Sequence, residues 1–332
     1  MKWVFQPKGS VRPVRGFGAA GTVGGRAVPG ERKWGTHRKD PGPNEETSHA
    51  LSARALPSLP KNGIYNMSWT SPSGRFAFGF YPQGDGFIVA IWFARIPERT
   101  VVWSLIQDDK QRLQLVVTRN ATLVLNKEGW FILRDERGDE KNIFGNPAAS
   151  AAMLDSGNFV LHNSTSQIIW QTFDSPTNTI LQGQRLSNGK GLVSSVSRIE
   201  GRFYQRMQDD GNLVPYSAQY GTNYKVSDAY WEYDTVGQGS VALNLDDNGR
   251  LYLINGTSAY IRNFTNGWNS PNNGTMWFYQ ITLDADGLFR VYSHSLDQNG
   301  SWSVRWSLPI NKCEEEKCTH GPRFRLPLYP SV

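Results

Sequence analysis

One short pattern recurs along most of the chain: a polar or acidic residue, a glycine one or two positions later, then apolar residues alternating with others. Its six copies are SPSGRFAFGFY (71–81), NKEGWFILR (126–134), LDSGNFVLH (154–162), QDDGNLVPY (208–216), DDNGRLYLI (246–254) and DADGLFRVY (284–292). A glycine after a polar residue admits the positive φ of a tight turn. The period-2 run after it describes a strand with one buried face. Several copies lead into a second apolar run ending on tryptophan, at Trp92, Trp170, Trp231 and Trp306. These read as returning strands whose indoles fill a core. Helical spacing of useful length is absent, so no helix longer than about two turns is expected. A lone hairpin is too small to be stable. Three hairpins around a pseudo-threefold axis bury a common core, and six copies make two such groups, over 60–184 and 185–310.

Charge divides the chain differently. The net charge is +6, which would suit a phosphate-binding surface, but residues 1–60 hold ten Lys/Arg against four acids. The remaining 25 basic and 25 acidic residues cancel. A neutral folded part lacks the excess charge that nucleic acid demands. Residues 1–59 are rich in Gly, Pro and Arg, without apolar periodicity, and read as a disordered tail. Deleting residues 1–55 is expected to leave the fold intact.

No segment reaches the roughly 18 consecutive apolar residues of a membrane helix. The basic start is followed by no apolar stretch of the secretory kind. Yet seven N-x-S/T sequons, at Asn66, Asn120, Asn163, Asn255, Asn263, Asn273 and Asn299, all fall in the expected folded part. That number points to a secreted, glycosylated surface. A start differing from that of the mature protein reconciles the sequons with the missing leader. The two cysteines, Cys313 and Cys318, stand near the C-terminus in 311–332. Their spacing lacks a second pair of zinc ligands. They pair with each other or with partners outside this chain.

Two segments carry a family likeness. WQTFDSPTNTILQGQ (170–184) resembles the W-Q-S-F-D-x-P-T-D-T-L-L-P-G-Q stretch of plant S-domain and G-type lectin receptor-like kinases. VVWS (101–104) resembles the start of their V-V-W-x-A-N strand, although Leu105, Ile106, Gln107 and Asp108 depart from it. The chain is therefore similar to the ectodomain of that family over about 60–312. The resemblance implies an all-β architecture of tandem β-prism II, bulb-type lectin domains: domain 1 over 60–184 and domain 2 over 185–310. It also implies an extracellular or cell-surface location. The family continues near Cys313 into a cysteine-rich module, and the ending of this chain suggests truncation.

The family's mannose motif, Q-x-D-x-N-x-V-x-Y, stands complete once, as Gln208, Asp210, Asn212, Val214 and Tyr216. Alternate residues of a strand share a face. Asp210 accepts hydrogen bonds, while Asn212 and Gln208 donate and accept. Val214 offers an apolar patch to a sugar's C–H face, and Tyr216 a hydroxyl. By resemblance, Asp210 and Asn212 take the 2-hydroxyl of mannose, Gln208 the 3-hydroxyl and Tyr216 the 4-hydroxyl. The other copies keep the glycine and lose the polar set, as at Asn126, Glu128, Trp130, Ile132 and Arg134, or at Leu154, Ser156, Asn158, Val160 and His162. Arg250 and Leu288 replace the asparagine in the last two. Pro215 removes a strand N–H, which places this strand at a sheet edge or distorts it.

Other signals point nowhere. Gly16, Gly18 and Gly21 match a nucleotide-binding glycine pattern, but no strand precedes them and no helix follows. The kinase motifs H-R-D, D-F-G and A-P-E do not follow, and no nucleophile elbow is present. The five histidines lack metal-ligand spacing. The expectation is a non-enzymatic module, without metal or cofactor, whose partners are mannose-type glycans or glycoproteins. A homodimer or a receptor partner is a further expectation, and neither nucleic acid nor a membrane span is. The alternative is a protein-recognition ectodomain on a lectin scaffold that has lost sugar binding.

Overall fold

A computed structural model of the chain describes residues 49–52, 68–96, 100–106, 114–196, 199–217, 229, 235–237, 239–257, 259–268, 277–295 and 302–308. Strand is the dominant regular structure of the described residues, as the period-2 runs lead one to expect. A single turn of 3-10 helix, Thr172–Asp174, is the one helical element among them.

Among the described residues six antiparallel sheets form, three on each side of that turn in the sequence. In the first, β2 (Ser68–Thr70), β3 (Phe76–Gln83), β4 (Gly86–Phe93) and β5 (Val101–Ser104) run in order, and β6 (Val116–Val117) also pairs with β4. The second contains β1 (His49–Ser52), β7 (Thr122–Leu125), β8 (Phe131–Arg134) and β9 (Glu140–Asn142). The third is β10 (Ser150–Met153), β11 (Phe159–His162) and β12 (Ile168–Gln171). Beyond the 3-10 turn, β13 (Thr179–Leu181) joins β21 (Trp277–Leu283), β22 (Phe289–Ser295) and β23 (Ser303–Leu308). A fifth sheet contains β14 (Arg185–Ser187), β18 (Val241–Leu245), β19 (Leu251–Asn255) and β20 (Tyr260–Asn263). The sixth is β15 (Gly191–Val196), β16 (Ile199–Met207) and β17 (Leu213–Ser217).

Two details differ from the sequence reading. His49–Ser52, expected within the disordered tail, is strand β1, with Ala50 opposite Val124 and Leu51 opposite Leu123. Four residues are too few to show a period, yet they pair the otherwise open edge of β7. The sheets also divide between Gln171 and Thr179 and not at 184/185, because Ile180 pairs with Ile281 at the far end of the chain.

Each group of three sheets encloses one apolar core. Phe78, Leu123, Phe131, Met153 and Phe159 meet in the first, and Leu192, Met207, Leu243, Leu253, Ile281 and Val291 in the second. Phe78 stacks on Phe159 with centroids 3.9 Å apart. The cores touch through Phe278, which lies 5.4 Å from Phe76 and 5.3 Å from Phe93, ring to ring. Trp302 packs on Phe93 and donates through Nε1 to Thr100 Oγ1 at 3.0 Å. Of the tryptophans that end returning strands, Trp92 is buried on the opposite face of its sheet from that core, against Ala77, Ile88 and Ala90. Trp170 and Trp306 pack half-buried on the cores.

The repeated glycine explains how the sheets close. Gly211 has φ +88°, and a Cβ there would lie 2.8 Å from Val241 Cγ2 on the next sheet. A Cβ on Gly249 would meet Tyr279 at 2.7 Å, and one on Gly287 would meet Phe203 at 2.6 Å. Each turn thus admits a side chain of the following sheet, and the third contact returns to the first sheet. Gly287→Ala adds both a strained φ and an overlap, together about 1–3 kcal/mol. Calorimetry should find a melting temperature several degrees lower, and an unchanged one would contradict this closure. Deleting residues 1–52 exposes the edge of β7 and should lower Tm by roughly 2–4 °C relative to deletion of 1–48. Equal melting temperatures would mean that β1 contributes nothing.

Candidate functional site

The motif at 208–216 straddles a turn and a strand. Gly211 N–H donates to the Gln208 carbonyl at 3.1 Å, and Gln208 N–H to the Asn212 carbonyl at 2.7 Å. β17 then runs along β16 with Tyr204 opposite Tyr216, Arg206 opposite Val214 and Gln205 opposite Pro215. It is the last of the named strands in its sheet, although Tyr216 also bridges to Ala229. The proline's missing N–H is tolerated at such an edge.

Four of the five motif side chains serve one another and the turn. Asp210 is exposed, and its Oδ1 accepts the Asn212 N–H at 2.9 Å. Gln208 is half-buried and donates through Nε2 to the Tyr216 hydroxyl. Asn212 is only 3% exposed, and its Oδ1 accepts the Thr235 N–H at 3.3 Å. Val214 and Tyr216 are 4% and 5% exposed. The open part of the row is therefore its Gln208–Asp210 end. Burial, with help from Asp210 and against Arg206, pushes the Tyr216 phenol above its ordinary range. A phenol so held stays protonated at neutral pH and can donate to a sugar oxygen.

Sequence reasoning missed the threonines that clasp these turns. Thr235 Oγ1 donates to the Gly211 carbonyl at 2.8 Å, and Thr265 Oγ1 to the Gly249 carbonyl at 2.9 Å. Thr172 Oγ1 receives the Phe159 N–H at 3.0 Å and contacts Asn158 Oδ1 at 3.2 Å. Asn158 and Asn212, at the same motif position, thus share a structural duty. The one available signal was the threonine of WQTFD (170–174), whose partner lies 13 residues away in the chain. Tyr204 and Arg206 were missed as well. Register puts them on the motif's face, with the Tyr204 and Tyr216 rings 6.5 Å apart.

Two of the other copies have filled or rebuilt the equivalent space. In 284–292, Arg290 binds Asp284 and reaches Asp286 Oδ1 at 3.0 Å and Oδ2 at 2.7 Å. Tyr292 donates to Asp284 Oδ2 at 2.6 Å. This copy keeps an aspartate and a tyrosine, but its own guanidinium occupies them. Hydrogen bonds donated to Asp286 and Asp284 hold the Arg290 charge more firmly than usual, and burial with the Asp284 bond keeps Tyr292 protonated. In 126–134, Arg134 pairs with Glu140 on the exposed face.

Of the sequons, Asn163 and Asn255 occupy matching hairpin turns. Thr165 Oγ1 donates to Asn163 Oδ1 at 2.8 Å, and Thr257 Oγ1 to Asn255 Oδ1 at 2.7 Å. Asn120 is exposed, whereas Asn263 Oδ1 accepts Arg250 Nη2 at 2.9 Å. Asn66, Asn273 and Asn299 lie outside the described residues, as do Cys313, Cys318 and the glycines Gly16, Gly18 and Gly21. His294 is buried beside Trp302, and desolvation lowers its pKa. Among the described residues no group of three or more acidic, His or Cys side chains could hold a metal, and no helix is long and apolar enough to cross a membrane.

Residues 100–196 match the family model described as D-mannose binding lectin. That span ends before the complete motif at 208–216. The chain is 34% identical over 278 residues to the G-type lectin S-receptor-like serine/threonine-protein kinase LECRK2 of Oryza sativa subsp. japonica, a match covering 77% of this chain and 33% of that protein. It is 32% identical over 202 residues to the related kinase RLK1 of Arabidopsis thaliana, covering 56% of this chain and 24% of that one. The chain thus spans about a third of the length of the rice relative. Among solved structures, the mannose-specific agglutinin of snowdrop bulbs, complexed with methyl-α-D-mannoside, aligns at 24% identity with a TM-score of 0.28. It covers 40% of this chain and 97% of its own. A monomeric mannose-binding lectin of Gastrodia elata aligns at 21% identity and a TM-score of 0.30, over 40% of this chain and 98% of its own. Residues 100–196 thus match a D-mannose binding lectin domain, and the chain is similar to G-type lectin S-receptor-like kinases over about a third of their length.

Proposed function

We propose that this chain binds mannose-type glycans through Gln208, Asp210, Asn212, Val214 and Tyr216, as the extracellular recognition part of a receptor-like kinase. The observation that carries the reading is the one complete motif, held in a turn that leaves Asp210 in solvent beside the Gln208–Tyr216 pair. Asp210 Oδ2 and Gln208 Oε1, at the open end of the row, can meet a hexose, whose hydroxyls both donate and accept. A lectin domain binds without turnover, so the signalling chemistry belongs to other parts of the relatives' chains. The sequons support an extracellular setting, and the relatives' kinase names support a receptor partner or a homodimer.

Binding should be weak and independent of calcium. One carboxylate on the row is too few for a cage of 6–8 oxygens. Three or four hydrogen bonds worth about 0.5–1.5 kcal/mol each reach about −4 kcal/mol, or millimolar affinity. Clustering of several sites would then provide avidity. Titration calorimetry with methyl mannoside should give a millimolar constant for the wild type and none for Asp210→Ala at unchanged Tm. A second reading, protein recognition by a scaffold that no longer binds sugar, is favoured by the 4–5% exposure of Val214 and Tyr216. Absence of heat from the wild type at tens of millimolar sugar would decide for it.

The same reading places N-linked glycans on the surface. Asn163 and Asn255 present exposed acceptor threonines, whereas Thr265 of the Asn263 sequon is 8% exposed within its clasp. Peptide mapping of protein secreted from plant cells should find glycan at Asn163 and Asn255 and a bare Asn263. Unmodified Asn163 and Asn255 would count against a secretory route.

A further inference from the structure

The sheet β14–β18–β19–β20 has an outer face whose chemistry the mannose-type row does not use. Its inner face is the core: Leu186, Leu243, Leu251 and Leu253 are 0–1% exposed. On the outer face, antiparallel register lines up Arg185, Asn244, Tyr252 and Asn263 across the four strands. Ser187, Ala242, Ile254 and Tyr260 form the next row. Tyr260 is 59% exposed, and Arg185 is exposed as well.

Arg250 ties these rows together. Its guanidinium carbon lies 4.4 Å from the Tyr260 ring centre and 5.1 Å from that of Tyr252. Its Nε and Nη2 donate to Asn263 Oδ1 at 3.2 and 2.9 Å. Neither Arg185 nor Arg250 forms an ion pair among the described residues. Asp246, four residues before Arg250, directs Oδ1 to the N–H groups of Asn248 and Arg250, both at 2.9 Å. The Tyr252 phenol, raised by burial, Tyr260 and Asp246, is drawn back by Arg185 and Arg250, so both cations act on one ring. Among the described residues neither cation has a carboxylate in salt-bridge contact, and a folded protein gains little from that arrangement on an aromatic surface. A ligand that brings a carboxylate gains more, because a fixed guanidinium offers paired donors at reduced entropic loss.

The repeat shows what has changed. Arg250 stands where Asn212 stands in the mannose motif, and Tyr252 where Val214 stands. A neutral amide has become a cation and a small apolar floor has become an aromatic ring. Tyrosine faces suit the C–H face of a pyranose, and the unpaired charge asks for an acidic one.

We propose that this face is a second glycan site, selective for uronic-acid oligosaccharides, with Arg185 and Arg250 taking the carboxylate and Tyr252 and Tyr260 packing on the sugar ring. The site is independent of the mannose-type row on the neighbouring sheet β15–β16–β17. Trigalacturonate titrated into the full chain, followed by calorimetry and saturation-transfer NMR, should bind at millimolar concentration or below, and more weakly as salt rises. Its carboxyl-reduced analogue should bind at least roughly tenfold more weakly, the worth of one charge-assisted hydrogen bond. Arg185→Gln and Tyr260→Ala, both at exposed positions, should lower the affinity at unchanged Tm, and Arg250→Gln should lower it most. Asp210→Ala should leave trigalacturonate binding intact, so a failure of the mannose reading is told apart from a failure of this one. No binding by the wild type, equal binding of the reduced analogue, or indifference to Arg185→Gln and Tyr260→Ala would overturn the proposal.

Discussion

The fold rests on a missing Cβ. In the second half of the chain, the turn at Gly211 receives Val241, the turn at Gly249 receives Tyr279 and the turn at Gly287 receives Phe203. Each contact hands one sheet to the next, and the third hands back to the first. No sheet of this size would be stable with a bare apolar face. Closing three of them around Leu192, Leu243 and Ile281 gives each a covered face and leaves three outer faces for other work. Buried threonines fasten the arrangement at Gly211 and Gly249 by satisfying carbonyls that the turns leave unpaired.

Function is laid on those outer faces, and scaffold and site share residues. Asn212 illustrates the overlap: it stands in the motif, yet it is 3% exposed and its carboxamide oxygen holds Thr235. Asn158 performs the same clasp in a copy where Ser156 and His162 stand at the positions of Asp210 and Tyr216. A surviving asparagine therefore says little about sugar binding, whereas Asp210 together with Tyr216 says more. Asp286 and Tyr292, at the positions of Asp210 and Tyr216, show the converse. The polar pair is present, but Arg290 engages Asp286 and Asp284 engages Tyr292 from within.

What the sequence made legible was local. The six glycine turns, the period-2 strands and the motif at 208–216 could all be read because each depends on neighbours within about ten residues. What escaped depends on distance along the chain. Strand β1 carries no pattern of its own and exists because β7 offers an edge. Thr179–Leu181 pairs with Gln280–Thr282, about 100 positions away, so no local signal could place it in the later group of sheets. The burial of Val214 and Tyr216 was likewise invisible, since alternation tells which face a residue takes and not what covers that face. The Arg250–Tyr260–Asn263 cluster needed the register of β19 and β20 before it could be seen at all.

The central claim is that one copy in six keeps a sugar-binding row while the rest serve the scaffold or other chemistry. The most direct test is to titrate isotopically labelled protein with methyl mannoside and map the backbone amides that shift. The account predicts a single cluster covering Gln208–Tyr216 and Thr235, with the amides of 126–134, 154–162 and 284–292 unmoved. Shifts centred on any of those three segments, or none at saturating sugar, would contradict it.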